Sequence, residues 1–125
     1  MEVPLPLGDV LDRITILRIK RRRMHNPRAL EHVRRELAEL EDRWTEAGFQ
    51  AEDEERALEQ VNEALWDIED ALRRHEAAGD FGPSFVELAR GVYHQNDRRA
   101  ALKRAVNEKL GSRFIEQKEY VRYGA

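Results

Sequence analysis

Residues 52–78 read EDEERALEQVNEALWDIEDALRRHEAA and are followed by Gly79-Asp80. Leu58, Val61, Leu65, Ile68 and Leu72 recur at steps of three and four, the spacing that keeps an apolar stripe on one side of an α-helix. Gly79-Asp80 then stops the helix. From about Pro83 to Leu110 the same period returns as Phe85, Leu88 and Val92, then Leu102, Val106 and Leu110, with Gly111 as a C-terminal stop. Two long helices joined by so short a turn fold back as antiparallel neighbours, which decides for an all-α fold.

Working outward toward the N-terminus, Asn26-Pro27 marks another helix start. Asn26 can accept a backbone N–H and Pro27 has the φ of the first helical position. The stripe Leu30, Val33, Leu37, Leu40, Trp44 predicts a helix to about Ala47, ended by Gly48. A first helix is predicted from about Gly8 to Met24. Its apolar residues Val10, Leu11, Ile14, Ile16, Leu17 and Ile19 cover more than one face, which calls for several neighbours or a second subunit. The expectation is an all-α antiparallel helical bundle of about four helices, one domain over residues 1–125, with an extended or irregular C-terminal tail.

Composition narrows the classes of function. Charged residues make up 38% and hydrophobic ones 41% of 125 residues, which suits amphipathic helices around one core. A net charge of -3 makes nucleic acid an unfavoured partner, since phosphate binding needs a basic excess. The absence of cysteine removes disulfides, thiolate metal sites and thiol nucleophiles. No window has the apolar length of a membrane span and the N-terminus lacks the pattern of an export signal, so a cytoplasmic protein is expected.

The stripe of the fourth helix is broken. Gln95 and Arg99 occupy positions that its period reserves for apolar side chains. In a hairpin turning around Asp80 and Phe81, residues whose numbers sum to about 161 or 162 lie level, because both helices rise equally per residue. Glu69 is then level with Tyr93, Trp66 with Asn96, and Asn62 with Arg99. Such convergence reads first as a hydrogen-bonded network that fixes helix register. Read as a ligand site instead, it has Arg90, Arg99 and Lys103 meeting phosphate, and Asn62, Trp66, Tyr93 and Asn96 meeting a sugar or base, with Glu69 in the same layer.

Other candidates have simpler explanations. The basic run Lys20-Arg21-Arg22-Arg23, extended by Arg28, Arg34 and Arg35, suits a helix C-terminus and a solvated face. The residues three before His25, His32, His75 and His94 are Arg22, Ala29, Leu72 and Gly91, so the Glu-x-x-His pairs of di-metal bundles are missing. A carboxylate magnesium site from Glu36, Glu39, Asp67 and Asp70 is disfavoured, since the period turns Asp67 away from the core. No metal, cofactor or catalytic residue is expected. Ser84 and Ser112 read as helix-end residues, with an anion cradle at Ser112 and Arg113 the less favoured alternative. Phe114, Ile115, Tyr120, Val121 and Tyr123 predict a tail that docks on the bundle or on a second subunit.

The runs Asp12-Arg13-Ile14-Thr15-Ile16-Leu17, Leu65-Trp66-Asp67-Ile68-Glu69-Asp70, Leu88-Ala89-Arg90-Gly91-Val92-Tyr93 and Asn96-Asp97-Arg98-Arg99-Ala100, with Gly111-Ser112 before Lys118 and Tyr120, resemble a family of small bacterial proteins known only as a domain of unknown function. The resemblance spans nearly the whole chain. Members tend to be encoded beside glycosyltransferase and surface-polysaccharide genes, which implies an accessory role in glycan biosynthesis but supplies no catalytic residue. In family members a serine often stands at Pro6, giving a capping box with the acidic residue at Asp9, so this chain must start its first helix differently. The resulting expectation is a non-catalytic binding or assembly factor with a protein partner in glycan biosynthesis or a homodimer. The alternative is an enzyme or sensor for a phosphorylated or nucleotide-linked sugar.

Overall fold

The computed structural model describes residues 5–111, which form four helices: α1 (Leu7–Arg23), α2 (Pro27–Glu46), α3 (Glu52–Ala78) and α4 (Pro83–Lys109). Among the described residues there is no strand. The expectations attached to Ser112, Arg113 and the apolar tail lie outside them.

The bundle is organised around α1. Leu7, Val10, Leu11, Ile14, Leu17 and Ile19 are each 3% exposed or less, and α2, α3 and α4 all pack on this helix. Intramolecular neighbours therefore cover its several apolar faces. Full burial of one such aliphatic side chain stabilises by roughly 1.5–3 kcal/mol, so this short helix contributes a large part of the core. On the α2 side the core takes in Val33, Leu37, Leu40 and Trp44. Trp44 meets Phe49 edge-on at 5.0 Å, closing the end of α2 where Gly48 adopts a φ of 73°.

The helix starts follow local chemistry. Asn26 Oδ1 accepts the Ala29 N–H at 3.0 Å, and Pro27 opens α2. At α1, Pro6 occupies the cap position and offers no side-chain acceptor. The cap comes instead from another helix: Asn107 Oδ1 on α4 accepts the Gly8 N–H at 2.7 Å. Gly8 makes this approach feasible, because a Cβ there would stand 2.2 Å from the Lys103 carbonyl oxygen. Lys103 Nζ in turn meets Asp9 at 2.7 Å. Thus α1 and α4 run antiparallel, zipped at Gly8–Asn107, Asp9–Lys103 and Asp12–Arg99.

α3 and α4 form the expected hairpin. Gly79, at φ 67°, caps α3, its N–H and that of Asp80 returning to the Glu76 and His75 carbonyls. Asp80 Oδ1 accepts the Gly82 N–H, and Pro83 begins α4. Both helices are 27 residues long, against 17 for α1 and 20 for α2. The hairpin therefore extends past the end of α1, whose last residue, Arg23, reaches Asp67 at 2.9 Å.

Candidate functional site

At the centre of the α1, α3 and α4 contact lies a polar group built on Asp12. Asp12, Thr15 and Asn62 are 4%, 0% and 6% exposed, the described buried polar residues of the protein. Steps of three and four put Asp12 and Thr15 on the α1 face that meets Asn62 of α3. Thr15 Oγ1 donates to the Asp12 carbonyl at 2.8 Å. Asn62 Nδ2 donates to both Asp12 Oδ1 and Thr15 Oγ1, each at 2.9 Å. From α4, Arg99 grips the same carboxylate bidentately, Nε on Oδ1 at 2.9 Å and Nη2 on Oδ2 at 2.5 Å. These bonds satisfy both oxygens of a carboxylate that would otherwise be very costly to bury. The hydrogen bond to Asp12 holds the Arg99 guanidinium above its already high pKa.

This arrangement brings Asn62 and Arg99 to one level, with Asp12 as the bridge between them. The central position of Asp12 was available in the sequence only indirectly. With apolar residues around more than one face of α1, Asp12 had little solvent-facing surface left to occupy, and burial forced it to find a cation and an amide.

Outside the closed network lies a cleft of about 360 Å³, lined by Ile16, Ile19, Lys20, Asn62, Leu65, Trp66, Glu69, Asn96 and Arg99. Five of the sequence-derived candidates thus share one wall: Asn62, Trp66, Glu69, Asn96 and Arg99. Tyr93 is 74% exposed and is not among the lining residues. Arg90 is exposed on α4 outside the cleft, and Lys103 is held by Asp9. Lys20, which the sequence placed in a basic run, is the unforeseen member. Among the described residues, the side chains of Lys20, Trp66, Glu69 and Asn96 make no hydrogen bond or ion pair. Arg99 still offers Nη1, since Asp12 occupies only its Nε and Nη2.

Two arginines of the basic run, and Arg18 before it, are spent within the fold. Arg22 meets Glu59 at 3.1 Å and Glu63 at 2.7 Å, while Arg23 meets Glu63 at 2.7 Å and Asp67 at 2.9 Å. Arg18 joins Glu41 at 2.8 Å and Glu55 at 2.5 Å. Hydrogen bonds from Arg23, then Arg22, hold the Glu63 carboxyl below its usual value. The four carboxylates weighed as a magnesium site are likewise engaged: Glu36 by Arg13, Glu39 by Arg43, Asp67 by Arg23 and Asp70 by Arg73. Among the described residues no three His, Asp or Glu side chains group in a way that could hold a metal ion. None of their helices is long and apolar enough to cross a membrane.

One further polar atom stands out near this level of α4. Gln95 Oε1 is buried and has no hydrogen-bond partner among the described residues. It occupies the seam position where the sequence broke its apolar period.

A family model described as a family of unknown function, DUF6165, matches residues 1–123. The chain belongs to this family. No curated protein and no solved structure matches the chain. Membership accounts for the ordered motifs along the whole sequence and assigns no activity, so the functional reading rests on the geometry above.

Proposed function

We propose that the protein is a non-catalytic cytoplasmic binding factor of surface-glycan biosynthesis, and that the cleft beside Asp12 receives an uncharged sugar ring. The carrying observation is the contrast between two adjacent sets of polar groups. Asp12, Thr15 and Asn62 are hydrogen-bonded to one another and buried. Lys20, Trp66, Glu69 and Asn96 line one cleft with no hydrogen bond or ion pair among the described residues, Glu69 acting on Arg99 through its charge alone. A few convergent polar groups against apolar walls is the usual composition of a small-molecule site. Here Ile16, Ile19 and Leu65 supply walls, and Trp66 supplies a flat apolar face with an N–H at its edge.

Charge selects among sugars. Arg99 is neutralised by Asp12 and Lys103 by Asp9, and Arg90 stands outside the cleft. The remaining charges of the lining, Lys20 and Glu69, are opposite in sign, and Glu69 also acts on Arg99. Such a lining favours a hydroxyl-rich ring over the phosphate of a nucleotide-linked sugar. The link to glycan biosynthesis comes from the family resemblance.

The test is a thermal-shift and calorimetry screen of the full chain against free hexoses, amino sugars and sugar nucleotides. A ligand at 100 times its Kd should add about 2.7 kcal/mol of stability. The expected result is a shift with a free sugar that is lost in Trp66→Ala and Asn96→Ala, both still folded by circular dichroism. A shift confined to the phosphorylated forms, or none with any sugar, would reject the reading.

A further inference from the structure

A second feature is independent of the cleft. In the described chain no residue between 66 and 105 is buried, although the apolar stripes of both helices continue through this interval. Ile68, Leu72, Phe85, Leu88, Ala89 and Val92 are only partly covered. Below this level α1 closes the hairpin, and Leu58, Val61 and Val106 fall to 1% exposure or less. Toward the Gly79 turn, past the end of α1, no third helix among the described residues covers the hairpin. Phe81, Val86 and Tyr93 remain 54%, 52% and 74% exposed. Val86 and Tyr93 are seven residues apart, so they share a face of α4, with Ala89 and the exposed Arg90 between them. That face borders the partly covered seam and extends it into solvent, giving a helix-sized apolar strip.

Electrostatics identifies the kind of helix that fits. Residues 68–97 contain six carboxylates, Glu69, Asp70, Glu76, Asp80, Glu87 and Asp97, and three arginines, Arg73, Arg74 and Arg90. The distal hairpin therefore carries a net charge of -3, the same as the whole chain, and the remainder is balanced. A second copy docking here would set two acidic segments against each other, and nucleic acid or an anionic membrane would be repelled. An apolar stripe flanked by Lys and Arg would meet both the exposed side chains and the charge.

We propose that the distal half of the α3–α4 hairpin is the docking surface for a basic amphipathic helix of another protein. The partner helix occupies, beyond Asp67, the position that α1 occupies below it. Val86 and Tyr93 are its apolar anchors, and the acidic side chains steer its approach. This is helix-in-groove recognition, with anchors at i, i+3, i+4 and i+7.

The probe is a fluorescently labelled synthetic helix of about 20 residues with Leu at the seam positions and Lys beside them, paired with a control carrying Glu in place of each Lys. The full chain is titrated by anisotropy and mapped by amide chemical shifts. The expected result is binding of the Lys peptide with perturbations confined to residues 68–97, weakening at least about tenfold in the exposed-site double variant Val86→Ser/Tyr93→Ser, as loss of two interface anchors should do. Affinity should also fall with added salt. Equal binding of both peptides, unchanged affinity in the double variant, or perturbations centred on α1 or α2 would overturn the proposal. So would a concentration-dependent dimer that the double variant abolishes, because the strip would then belong to a second copy. A cleft variant outside residues 68–97, Trp66→Ala, should leave the peptide affinity unchanged, separating this outcome from that of the sugar screen.

Discussion

The proximal and distal halves of the α3–α4 hairpin follow one sequence period in opposite surroundings. In the proximal half, α1 lies against both helices, Leu58 and Val106 reach 0% exposure, and the polar intruders Asn62 and Arg99 are absorbed by Asp12. In the distal half the same stripe is flanked by water, and the large apolar side chains Val86 and Tyr93 are left outside. Periodicity therefore specifies which side of a helix is apolar, whereas a third element decides whether that side becomes core or surface. The candidate cleft lies at the boundary, where α1 is close enough to contribute Ile16, Ile19 and Lys20 without filling the space.

The largest expected effect comes from removing the bridge of the proximal half. Asp12→Ala leaves Arg99 and Asn62 without their shared acceptor, and loss of one partner of a buried pair costs about 3–5 kcal/mol. Because the Arg99 side chain is 31% exposed, about 3 kcal/mol is expected in urea unfolding. A loss below about 1 kcal/mol would mean that water replaces the carboxylate and the network is not what locks α1. Next in size is a paired truncation. Leu58→Ala should cost about 3 kcal/mol and Leu88→Ala about 1, since cavity cost scales with burial. Equal losses would erase the distinction between the halves.

How far the sequence carried this contrast depends on the residue. The helix boundaries were legible because their signals are local: Asn26-Pro27, Gly79-Asp80 and Pro83 each act through their own backbone geometry. The level of Asn62 and Arg99 was legible too, through the equal rise of two antiparallel helices. Asp12 as their bridge was not, because the position of α1 over the hairpin is a tertiary fact that no stripe encodes. The same reason hid the Gly8–Asn107 cap, which replaces the capping box missing at Pro6. Of the phosphate-directed candidates, Lys103 meets Asp9 and Arg90 stands apart from the cleft, since periodicity gives the face of a cation and not its nearest carboxylate.

Smaller effects sharpen the comparison at its boundary. Gln95→Leu removes the orphaned Oε1 and should raise stability by about 1 kcal/mol, since a buried unpaired polar group carries a penalty of that order. A loss of stability would show that Gln95 has a partner in solution. The smallest effect is pH-dependent. Glu63 has a lowered pKa through hydrogen bonds from Arg23 and Arg22, so its contribution is fully present above the unfolded carboxylate value of about 4.3. It declines as pH falls through the lower folded value. Both partners are partly solvated, so the change should be modest. Glu63→Gln should flatten this limb of the Tm against pH curve, and an unchanged acid limb would remove the α1–α3 ion pairs from the account.

Native-state hydrogen exchange, resolved by residue along α3 and α4, tests the difference between the halves most directly. Amides near Leu58–Leu65 and Leu102–Val106 should exchange only through global unfolding, while those near Leu72–Ala78 and Phe85–Val92 should exchange through local opening at distinctly lower free energy. Uniform protection along both helices would contradict the account, because the distal hairpin would then be as firmly held as the half that α1 covers.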